Sequence, residues 1–457
     1  MGISATIFRE YDIRGIVGKE LSEEAFELLG RAYGTYLLGF GSKKAIVGHD
    51  NRQSSASYKN AFIKGLLSTG CDTIDVGMVV TPMLYFARKK WKTDGGAMIT
   101  ASHNPPEYNG IKLTQGNGCI FGKEIQKIRK IAESEKFAGG KGKSVKKGIS
   151  KEYAKMIAKK IRLKKKLKVV VDCGNGTASP FAPKIFRSLG CRVLELFCDS
   201  DPNFPNHFPD PTVPKNLSEL VKKVAQEKAD VGIALDGDSD RIGVVDDAGN
   251  ILFGDTLLIL FSREILAKNK NATVIVEVKC SQSLIDEVQK LGGQTAISAT
   301  GHSIIEERMH KENALLAGEM SGHIYFGDEY YSFDDAIYAG ARLLRLLSQS
   351  EKKLSQMLVD APKYFNTPEI RVDCPEEKKQ QIVEETKKFF SKKYPKSATV
   401  DGIRVVFPDG WALVRKSNTQ PKLILRFESK TQQGLERIKS EVLQKLREFE
   451  PLRGLKI

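Results

Sequence analysis

Short apolar runs rich in β-branched residues alternate along the chain with stretches of helical periodicity. An arrangement of strand, polar loop, helix, glycine turn and strand occurs three times, with first strands predicted at 44–48, 168–172 and 273–278. Apolar β-branched strands that alternate with helices are typical of sheets covered by helices on both faces. We therefore predict three consecutive α/β domains with mixed, mostly parallel sheets of related topology.

Each copy ends in one more apolar strand. A loop of polar residues that could take part in catalysis or ligand binding follows each of these strands. These strands are predicted at 96–100, 231–235 and 314–318. Ligands of open α/β sheets bind beyond the carboxyl ends of the strands. The three loops are therefore expected to converge on a central cleft.

Changes in this pattern set the predicted domain bounds. A segment rich in Lys and Gly at 137–148, a turn at 247–250 and residues 366–368 separate the units. Beyond the last of these, strand, helix, three strands and helix follow one another, which predicts a smaller C-terminal α+β domain instead of a fourth copy. The predicted domains are 1–148, 149–250, 251–366 and 367–457.

The composition is that of an ordinary globular protein, with 41% hydrophobic and 28% charged residues among 457. No apolar run approaches the roughly 20 residues of a membrane-spanning helix, and the N-terminus lacks the pattern of a signal peptide. Seven cysteines without a C-x-x-C pair favour a reduced, cytoplasmic protein over a disulfide framework or a zinc site. We expect no membrane partner.

The net charge of +16 is unusually high for a globular protein, and a high positive charge is typical of proteins with a nucleic-acid-binding surface. The densest basic run, at 159–168, lies between a predicted helix and a predicted strand. We interpret it as solvated surface and expect no nucleic-acid partner. A positive field would also attract a small dianionic substrate.

Ser102 is the first residue with candidate chemistry. It lies in Thr100-Ala-Ser-His-Asn-Pro105, after a predicted strand, on a loop stiffened by two prolines. A lone serine in such a loop is usually a turn former. A Ser-His hydrolase is disfavoured, because adjacent residues rarely place a base against its nucleophile and the G-x-S-x-G motif is absent.

Asp236, Asp238 and Asp240 alternate directly after an apolar strand and offer three hard oxygen ligands for a divalent cation. An EF-hand is disfavoured, since its sixth position would be Arg241 instead of Gly and its twelfth Asp247 instead of Glu. A phosphatase of the haloacid-dehalogenase type would need Thr or Val where Asp240 stands, and a structural acidic loop is a third alternative. A hydroxyl that can carry a phosphoryl group and a cation site are the minimal parts for phosphoryl transfer.

The positions of two further loops favour a functional role for them. Glu319, Ser321 and His323 follow the third of the extra strands, although alone they could form a simple turn. The run Arg415-Lys-Ser-Asn-Thr419 combines a guanidinium, hydroxyls and an amide, which suits a phosphate clamp. Alone it would be an ordinary polar turn.

These motifs resemble the α-D-phosphohexomutase superfamily along essentially the whole chain, and most closely its phosphomannomutase/phosphoglucomutase branch. The resemblance is carried by the segments 100–112, 236–241, 318–323 and 415–419, and by Phe8-Arg-Glu-Tyr-Asp-Ile-Arg-Gly15. It implies four domains and a reversible exchange of hexose 1-phosphate and hexose 6-phosphate. The partner is then a small phosphosugar, and a bound hexose 1,6-bisphosphate is the intermediate and activator.

The resemblance also implies roles for individual residues. Ser102 would carry the phosphoryl group, and Mg²⁺ would be bound by that phosphate and by Asp236, Asp238 and Asp240. The implied catalytic residues are Ser102, His103, Lys112, Arg241 and Arg14. The implied substrate-binding residues are Tyr11, Lys279, His302, Glu319, Ser321, His323, Arg415, Ser417, Asn418 and Thr419.

Alternatives remain within and outside this class. A phosphoglucosamine mutase usually has Phe-Gly-Thr-Asp-Gly-Ile-Arg-Gly where this chain has Phe8-Arg-Glu-Tyr-Asp-Ile-Arg-Gly15. A Mg²⁺-dependent sugar-phosphate phosphatase would release free phosphate, and a non-catalytic phosphosugar sensor would not need Ser102. Three positions depart from the family pattern, namely Ala299, Ala336 and Gln420. The expected assembly is a monomer or a homodimer.

Overall fold

The computed structural model describes residues 3–417 and 420–455, in which four β-sheets follow one another along the chain. Three of them are mixed α/β sheets of related topology, and the fourth is antiparallel. The predicted fold class is therefore confirmed. Within the described residues, no helix has the length and apolar character needed to cross a membrane.

The first sheet contains β1 (Ile13–Ile16), β2 (Lys44–His49), β3 (Asp72–Met78), β4 (Gly95–Ile99), β5 (Tyr108–Gln115), β6 (Gly118–Cys119) and β7 (Ser144–Lys146). Its helices are α1 (Glu23–Gly39), α2 (Ser55–Ser68), α3 (Thr81–Trp91) and α4 (Lys123–Ser134). The strand order is β1-β5-β4-β2-β3-β7, with β6 paired to β5. The segment 137–148, predicted as a linker, thus contributes the edge strand β7, which runs parallel to β3.

The second sheet contains β8 (Lys168–Asp172), β9 (Arg192–Leu196), β10 (Val231–Leu235), β11 (Ile242–Asp246) and β12 (Ile251–Leu252), in the order β12-β11-β10-β8-β9. Its helices are α5 (Ser150–Lys160), α6 (Ala182–Ser188) and α7 (Ser218–Glu227). The third sheet contains β13 (Thr273–Glu277), β14 (Gln294–Ser298), β15 (Leu316–Gly318) and β16 (Ile324–Phe326), in the order β14-β13-β15-β16. Its helices are α8 (Gly254–Lys268), α9 (Gln282–Lys290), α10 (His302–Glu312) and α11 (Ala336–Gln349).

The three sheets share one local arrangement that creates the candidate site. In each, a central strand lies parallel to the first strand of the repeat and antiparallel to the strand that follows it. The central strands are β4, β10 and β15, and the antiparallel strands are β5, β11 and β16. The loops after the central strands are therefore equivalent turns at the carboxyl ends of three related sheets, which is where ligands bind in this architecture.

The fourth sheet contains β17 (Phe365–Asn366), β18 (Ile370–Asp373), β19 (Ile403–Phe407), β20 (Gly410–Lys416) and β21 (Lys422–Ser429). It carries α12 (Glu376–Lys393) and α13 (Gln432–Leu446) and has its own hydrophobic core. The first three sheets instead share one large core cluster, in which Met98, Val171 and Val276 are buried members. The first three units are therefore packed into one body. The fourth unit contacts the third through a small apolar cluster that contains Val278, Trp411 and Leu413.

Candidate active site

Ser102 stands in the turn between β4 and β5, with its hydroxyl facing the second sheet. Ser102 Oγ donates a hydrogen bond to Asp236 Oδ2 at 2.7 Å. His103 Nδ1 lies 3.1 Å from Ser102 Oγ. Ser102 is 3% exposed and has a φ of +51°, in the left-handed region that non-glycine residues rarely adopt. Residues in such sparsely populated conformations cluster at functional sites. The serine hydroxyl is therefore held firmly against the aspartate loop.

The serine and aspartate loops approach this closely because Gly237 has no side chain. A Cβ atom at Gly237 would lie 2.2 Å from the carbonyl oxygen of Ser102. On the other side of the loop, the buried Arg52 donates from Nη2 to the carbonyl oxygens of Ser102 at 2.8 Å and Asn104 at 2.5 Å. Arg14 Nη1 donates to Asn104 Oδ1 at 2.5 Å, which brings this predicted site residue to the serine loop.

Three fully buried carboxylates follow β10 in one short turn. One oxygen from each of Asp236, Asp238 and Asp240 lies within 4.8 Å of the others. Asp236 Oδ1 shapes the turn by accepting from the backbone N–H groups of Asp240 at 3.0 Å and Arg241 at 3.1 Å. Across residues 3–417 and 420–455, neither Asp238 Oδ1 nor Asp240 Oδ1 has a hydrogen-bond partner. Buried, unpaired carboxylate oxygens are unfavourable without a cation, so this donor set fits a divalent ion that prefers oxygen ligands.

Lys112, on β5, supplies a positive charge beside these carboxylates. Its Nζ donates to Asp238 Oδ2 at 2.7 Å and also to Asp240 Oδ2. Burial disfavours the ammonium ion, but the two carboxylates outweigh burial and raise the pKa of Lys112. Burial also opposes ionisation of Asp240, but Lys112 and His323 outweigh it and lower the pKa of Asp240. The pKa of Asp236 is raised, because burial and the neighbouring carboxylates both disfavour its charge.

His323, from the third loop, joins the aspartate loop through Arg241. Arg241 Nε donates to His323 Nε2 at 2.8 Å, while His323 Nδ1 lies 2.7 Å from Asp334 Oδ2 and 3.6 Å from Asp240 Oδ1. Burial lowers the pKa of His323, but Asp240 and Asp334 reverse the direction and raise it. The ring of His302 stacks on that of His323, with centroids 5.7 Å apart. The second and third sheets therefore share one polar network.

Glu319 is the centre of a second group of predicted residues. Its Oε1 accepts from Gly301 N at 2.9 Å and its Oε2 from Ser321 Oγ at 2.8 Å, and Glu319 is 3% exposed. Gly301 has a φ of +136°, and a Cβ there would lie 2.6 Å from the ring of Tyr11. Tyr11 Oη donates to the carbonyl oxygen of Thr300 at 2.7 Å. A residue of the first unit thus packs on the turn that holds Glu319.

Two cationic residues predicted to bind the substrate, Arg415 and Lys279, lie where the third and fourth units meet. Arg415 Nε donates to Asp401 Oδ2 at 2.9 Å. Lys279 Nζ lies 3.3 Å from Glu369 Oε2. Ser417 lies in the turn after β20, where its Oγ accepts from the backbone N–H of residue 420 at 3.1 Å. The remaining two predicted residues, Asn418 and Thr419, lie outside the described part of the chain.

The structure thus arranges the predicted residues in two adjoining groups. One surrounds the Ser102 hydroxyl and contains Arg14, His103, Lys112, Asp236, Asp238, Asp240, Arg241 and His323. The other surrounds the turn at 300–301 and contains Tyr11, Glu319, Ser321, Lys279 and Arg415. His302 follows this turn and stacks on His323, so it bridges the groups. Ser417 lies two residues after Arg415 of the second group.

Several residues that build the site were not predicted from the sequence. Thr81 Oγ1 donates to Asp238 Oδ2 at 2.5 Å, Arg52 holds the serine loop, and Asp401 contacts Arg415. The pair Thr81-Pro82 indicates only a helix start, which is where it lies. Their contacts join distant segments, so local sequence patterns give no indication of these roles.

Comparison with protein families finds four consecutive matches. Residues 5–139, 151–249 and 253–365 match phosphoglucomutase/phosphomannomutase alpha/beta/alpha domains I, II and III. Residues 369–445 match the phosphoglucomutase/phosphomannomutase C-terminal domain. The matches follow the order of the four sheets and cover most of the chain.

Individual proteins are similar along the full length. The chain is 44% identical over 438 residues to a phosphomannomutase/phosphoglucomutase of Pseudomonas aeruginosa, covering 96% of this chain and 95% of that protein. It is 43% identical over 443 residues to a phosphoglucomutase of Neisseria meningitidis serogroup A, covering 96% of each. A crystal structure of a phosphoglucomutase/phosphomannomutase family protein from Burkholderia thailandensis superimposes with a TM-score of 0.94 at 38% identity, covering 99% of both chains.

Proposed function

This chain belongs to the phosphoglucomutase/phosphomannomutase family, and from that premise we infer that it is a phosphohexomutase. It interconverts hexose 1-phosphate and hexose 6-phosphate, with mannose and glucose phosphates as the substrates. The predicted domain bounds, the cytoplasmic location and the monomeric or homodimeric assembly stay predictions.

The contact between Ser102 Oγ and Asp236 Oδ2 carries the proposal. The buried Ser102 hydroxyl contacts the first of the three carboxylates in this loop, and the sequence around Ser102 does not have the G-x-S-x-G pattern. We propose that Ser102 carries a phosphoryl group, gives it to the sugar and receives the other phosphoryl group from the resulting hexose 1,6-bisphosphate. Because Ser102 is regenerated in each cycle, it needs no separate water-activating base.

Asp236, Asp238 and Asp240, together with the phosphate on Ser102, would hold a divalent cation. The all-oxygen donor set favours Mg²⁺ as that ion. When bound, the ion would neutralise charge on the phosphoryl group during transfer. Lys112 and Arg241 add positive charge from the protein, in a buried environment where such charges stabilise a transition state more strongly than in water.

The second group of residues would bind the parts of the substrate that do not react. We propose that Glu319 accepts hydrogen bonds from sugar hydroxyls and that Ser321 exchanges hydrogen bonds with them. Tyr11 and His302 would lie beside the sugar. Arg415, Ser417 and Lys279 would anchor the non-reacting phosphate, and Asn418 and Thr419 are proposed to assist. An anchor at a distance from Ser102 lets the intermediate reverse its orientation while it stays in the cleft.

A product assay separates this function from its alternatives. With glucose 1-phosphate or mannose 1-phosphate, Mg²⁺ and a trace of the 1,6-bisphosphate, the product should be the 6-phosphate, measured by coupled dehydrogenase assay or NMR. Free phosphate as the main product would support a sugar-phosphate phosphatase. Faster turnover of glucosamine 1-phosphate than of either hexose phosphate would support a phosphoglucosamine mutase.

A further inference from the structure

One residue, Thr300, connects three of the four units through its backbone and its side chain. The carbonyl oxygen of Thr300 accepts from Tyr11 Oη of the first unit at 2.7 Å. The N–H of Thr300 donates to Asp401 Oδ2 of the fourth unit at 3.2 Å, and its Oγ1 donates to Glu277 Oε1 of the third at 2.5 Å. Movement of any of these units relative to the others must therefore alter the contacts of this residue.

Asp401 also holds Arg415, the proposed phosphate anchor. Asp401 Oδ2 accepts from Arg415 Nε at 2.9 Å, and the side chains are 12% and 7% exposed. The contact uses Nε, at the base of the guanidinium, so the ion pair leaves the two terminal nitrogens, Nη1 and Nη2, to other ligands. A carboxylate that competed with phosphate for the forked end would instead pair with those nitrogens.

The backbone around Asp401 is shaped for this contact. Gly402 has a φ of +71°, and a Cβ there would lie 2.2 Å from the carbonyl oxygen of Val414 and 2.8 Å from Arg415 Cα. A glycine is therefore required where the segment before β19 crosses the end of β20. This close crossing sets the Asp401 carboxylate beside the Arg415 guanidinium.

We propose that Asp401 is a positioning residue for substrate phosphate: it fixes Arg415 through Nε and links that arginine to the backbone N–H of Thr300. The inference rests on the proposed function, because it assigns Asp401 a role in phosphohexose binding. A pre-oriented guanidinium loses less conformational freedom when it binds phosphate, so the positioned arginine binds more tightly. Through Thr300, the same carboxylate couples the fourth unit to Tyr11 in the first.

The test is a double-mutant cycle on direct binding. Affinities for glucose 1-phosphate and glucose 6-phosphate are measured by calorimetry in a Ser102→Ala background, which prevents turnover. Asp401→Asn should weaken the binding of both sugar phosphates by about ten-fold, which is equivalent to a loss of about 1.4 kcal/mol in binding free energy. The same substitution should have no further effect when Arg415→Ala is present, because Asp401 acts through that arginine. A residue that merely stabilised the fourth unit would weaken binding in both backgrounds.

Asp409→Asn is the matched control, since Asp409 also pairs with an arginine of the fourth unit, Arg437, away from the phosphate anchor. It should leave both affinities unchanged. Asp401→Glu, which keeps the charge but moves it by one methylene, is the second variant if Asp401→Asn does not fold. It should weaken the binding of both sugar phosphates, by less than about ten-fold, and it should have no further effect when Arg415→Ala is present.

Three results would overturn the inference: tighter phosphosugar binding by Asp401→Asn, unchanged binding, or an equal loss in the Arg415→Ala background. Failure of the proposed function has a different readout, which is that the Ser102→Ala parent binds neither sugar phosphate. In that case titration with inorganic phosphate decides. A ten-fold weaker affinity in Asp401→Asn supports the positioning role, and equal affinities contradict it.

Discussion

Ser102 and Asp236 are 134 residues apart in the chain, yet the serine hydroxyl lies 2.7 Å from the carboxylate oxygen. Each residue follows the central strand of its own sheet, β4 for the serine and β10 for the aspartate. Equivalent loops of two related sheets thus meet face to face, and Gly237 leaves the space between them. The proposed catalytic pair is therefore a consequence of repeated topology.

Replacement of Asp240 should remove both metal binding and activity. In Asp240→Asn one of the three buried carboxylates loses its charge, and the Lys112 ammonium loses one of its two partners. We expect Mg²⁺ affinity and kcat each to fall by about 100-fold or more, since even residues outside the first ligand shell change these values by 10- to 100-fold. Mg²⁺ titration by calorimetry and activity after chelation measure the two effects.

Asp247→Asn is the control for that experiment, because Asp247 lies beyond β11 and bonds to Ser355 instead of the aspartate loop. It should behave as the parent protein. Full activity of the parent in a metal-free preparation would show that the acidic loop has another role.

Glu319→Ala should affect sugar binding and leave the metal site intact. The carboxylate is buried and already oriented by Gly301 N and Ser321 Oγ, and its loss removes acceptors for sugar hydroxyls. We expect KM for glucose 1-phosphate and mannose 1-phosphate to rise by about 10- to 100-fold, as for loss of a hydrogen bond to a charged group. Mg²⁺ affinity should be unchanged, and a collapse of that affinity would refute the assignment. Glu307→Ala, an exposed change on α10, is the control.

Arg415→Ala should weaken the binding of hexose 1-phosphates and hexose 6-phosphates to the same extent, because both place their non-reacting phosphate on the same anchor. Loss of a buried, charge-assisted pair is worth about 2–5 kcal/mol in binding. Arg415→Lys should restore only part of the affinity, since a point charge does not reproduce the guanidinium fork. KM is measured in both directions, with Arg437→Ala on α13 as the control. An effect on one isomer alone would argue against a common anchor.

Asp335 should make stability depend on pH. This residue caps α11 and accepts from the hydroxyls of Tyr153 and Tyr330, but burial outweighs these bonds and raises its pKa to about 7. The folded state therefore binds the proton more tightly than the unfolded chain. The protonated Asp335 carboxyl contributes fully to the free energy of unfolding below about pH 4. This contribution is lost as the pH rises to about 7, a change on the order of 4 kcal/mol.

Thermal midpoints of the parent and Asp335→Asn across pH 4.5 to 8 test this directly. The parent should lose stability relative to the variant as pH rises, because the amide cannot ionise. The exposed substitution Asp373→Asn should leave the parent's profile unchanged. A parent-to-variant difference that is constant with pH would contradict the raised pKa.

The repeat and its loops could be predicted from sequence because they depend on local periodicity. The strands at β8 and β10 have the predicted bounds, since uninterrupted apolar β-branched runs define them. The strand β7 could not be predicted, because its three exposed residues lack an apolar pattern and pair only with the edge of the first sheet. Arg52 and Asp401 likewise act through contacts with distant segments, which only the folded chain brings together.

The central claim is that Ser102 carries the phosphoryl group, and transfer of radiolabelled phosphate tests it most directly. After incubation with hexose 1,6-bisphosphate labelled in both phosphates, peptide mapping should find one phosphate per chain on Ser102, and unlabelled glucose 1-phosphate should remove it as labelled bisphosphate. Ser102→Ala should retain no label and lose at least about 10³-fold in kcat, as expected for a covalent carrier. Label on another residue, or turnover by Ser102→Ala at the parent rate, would contradict the account.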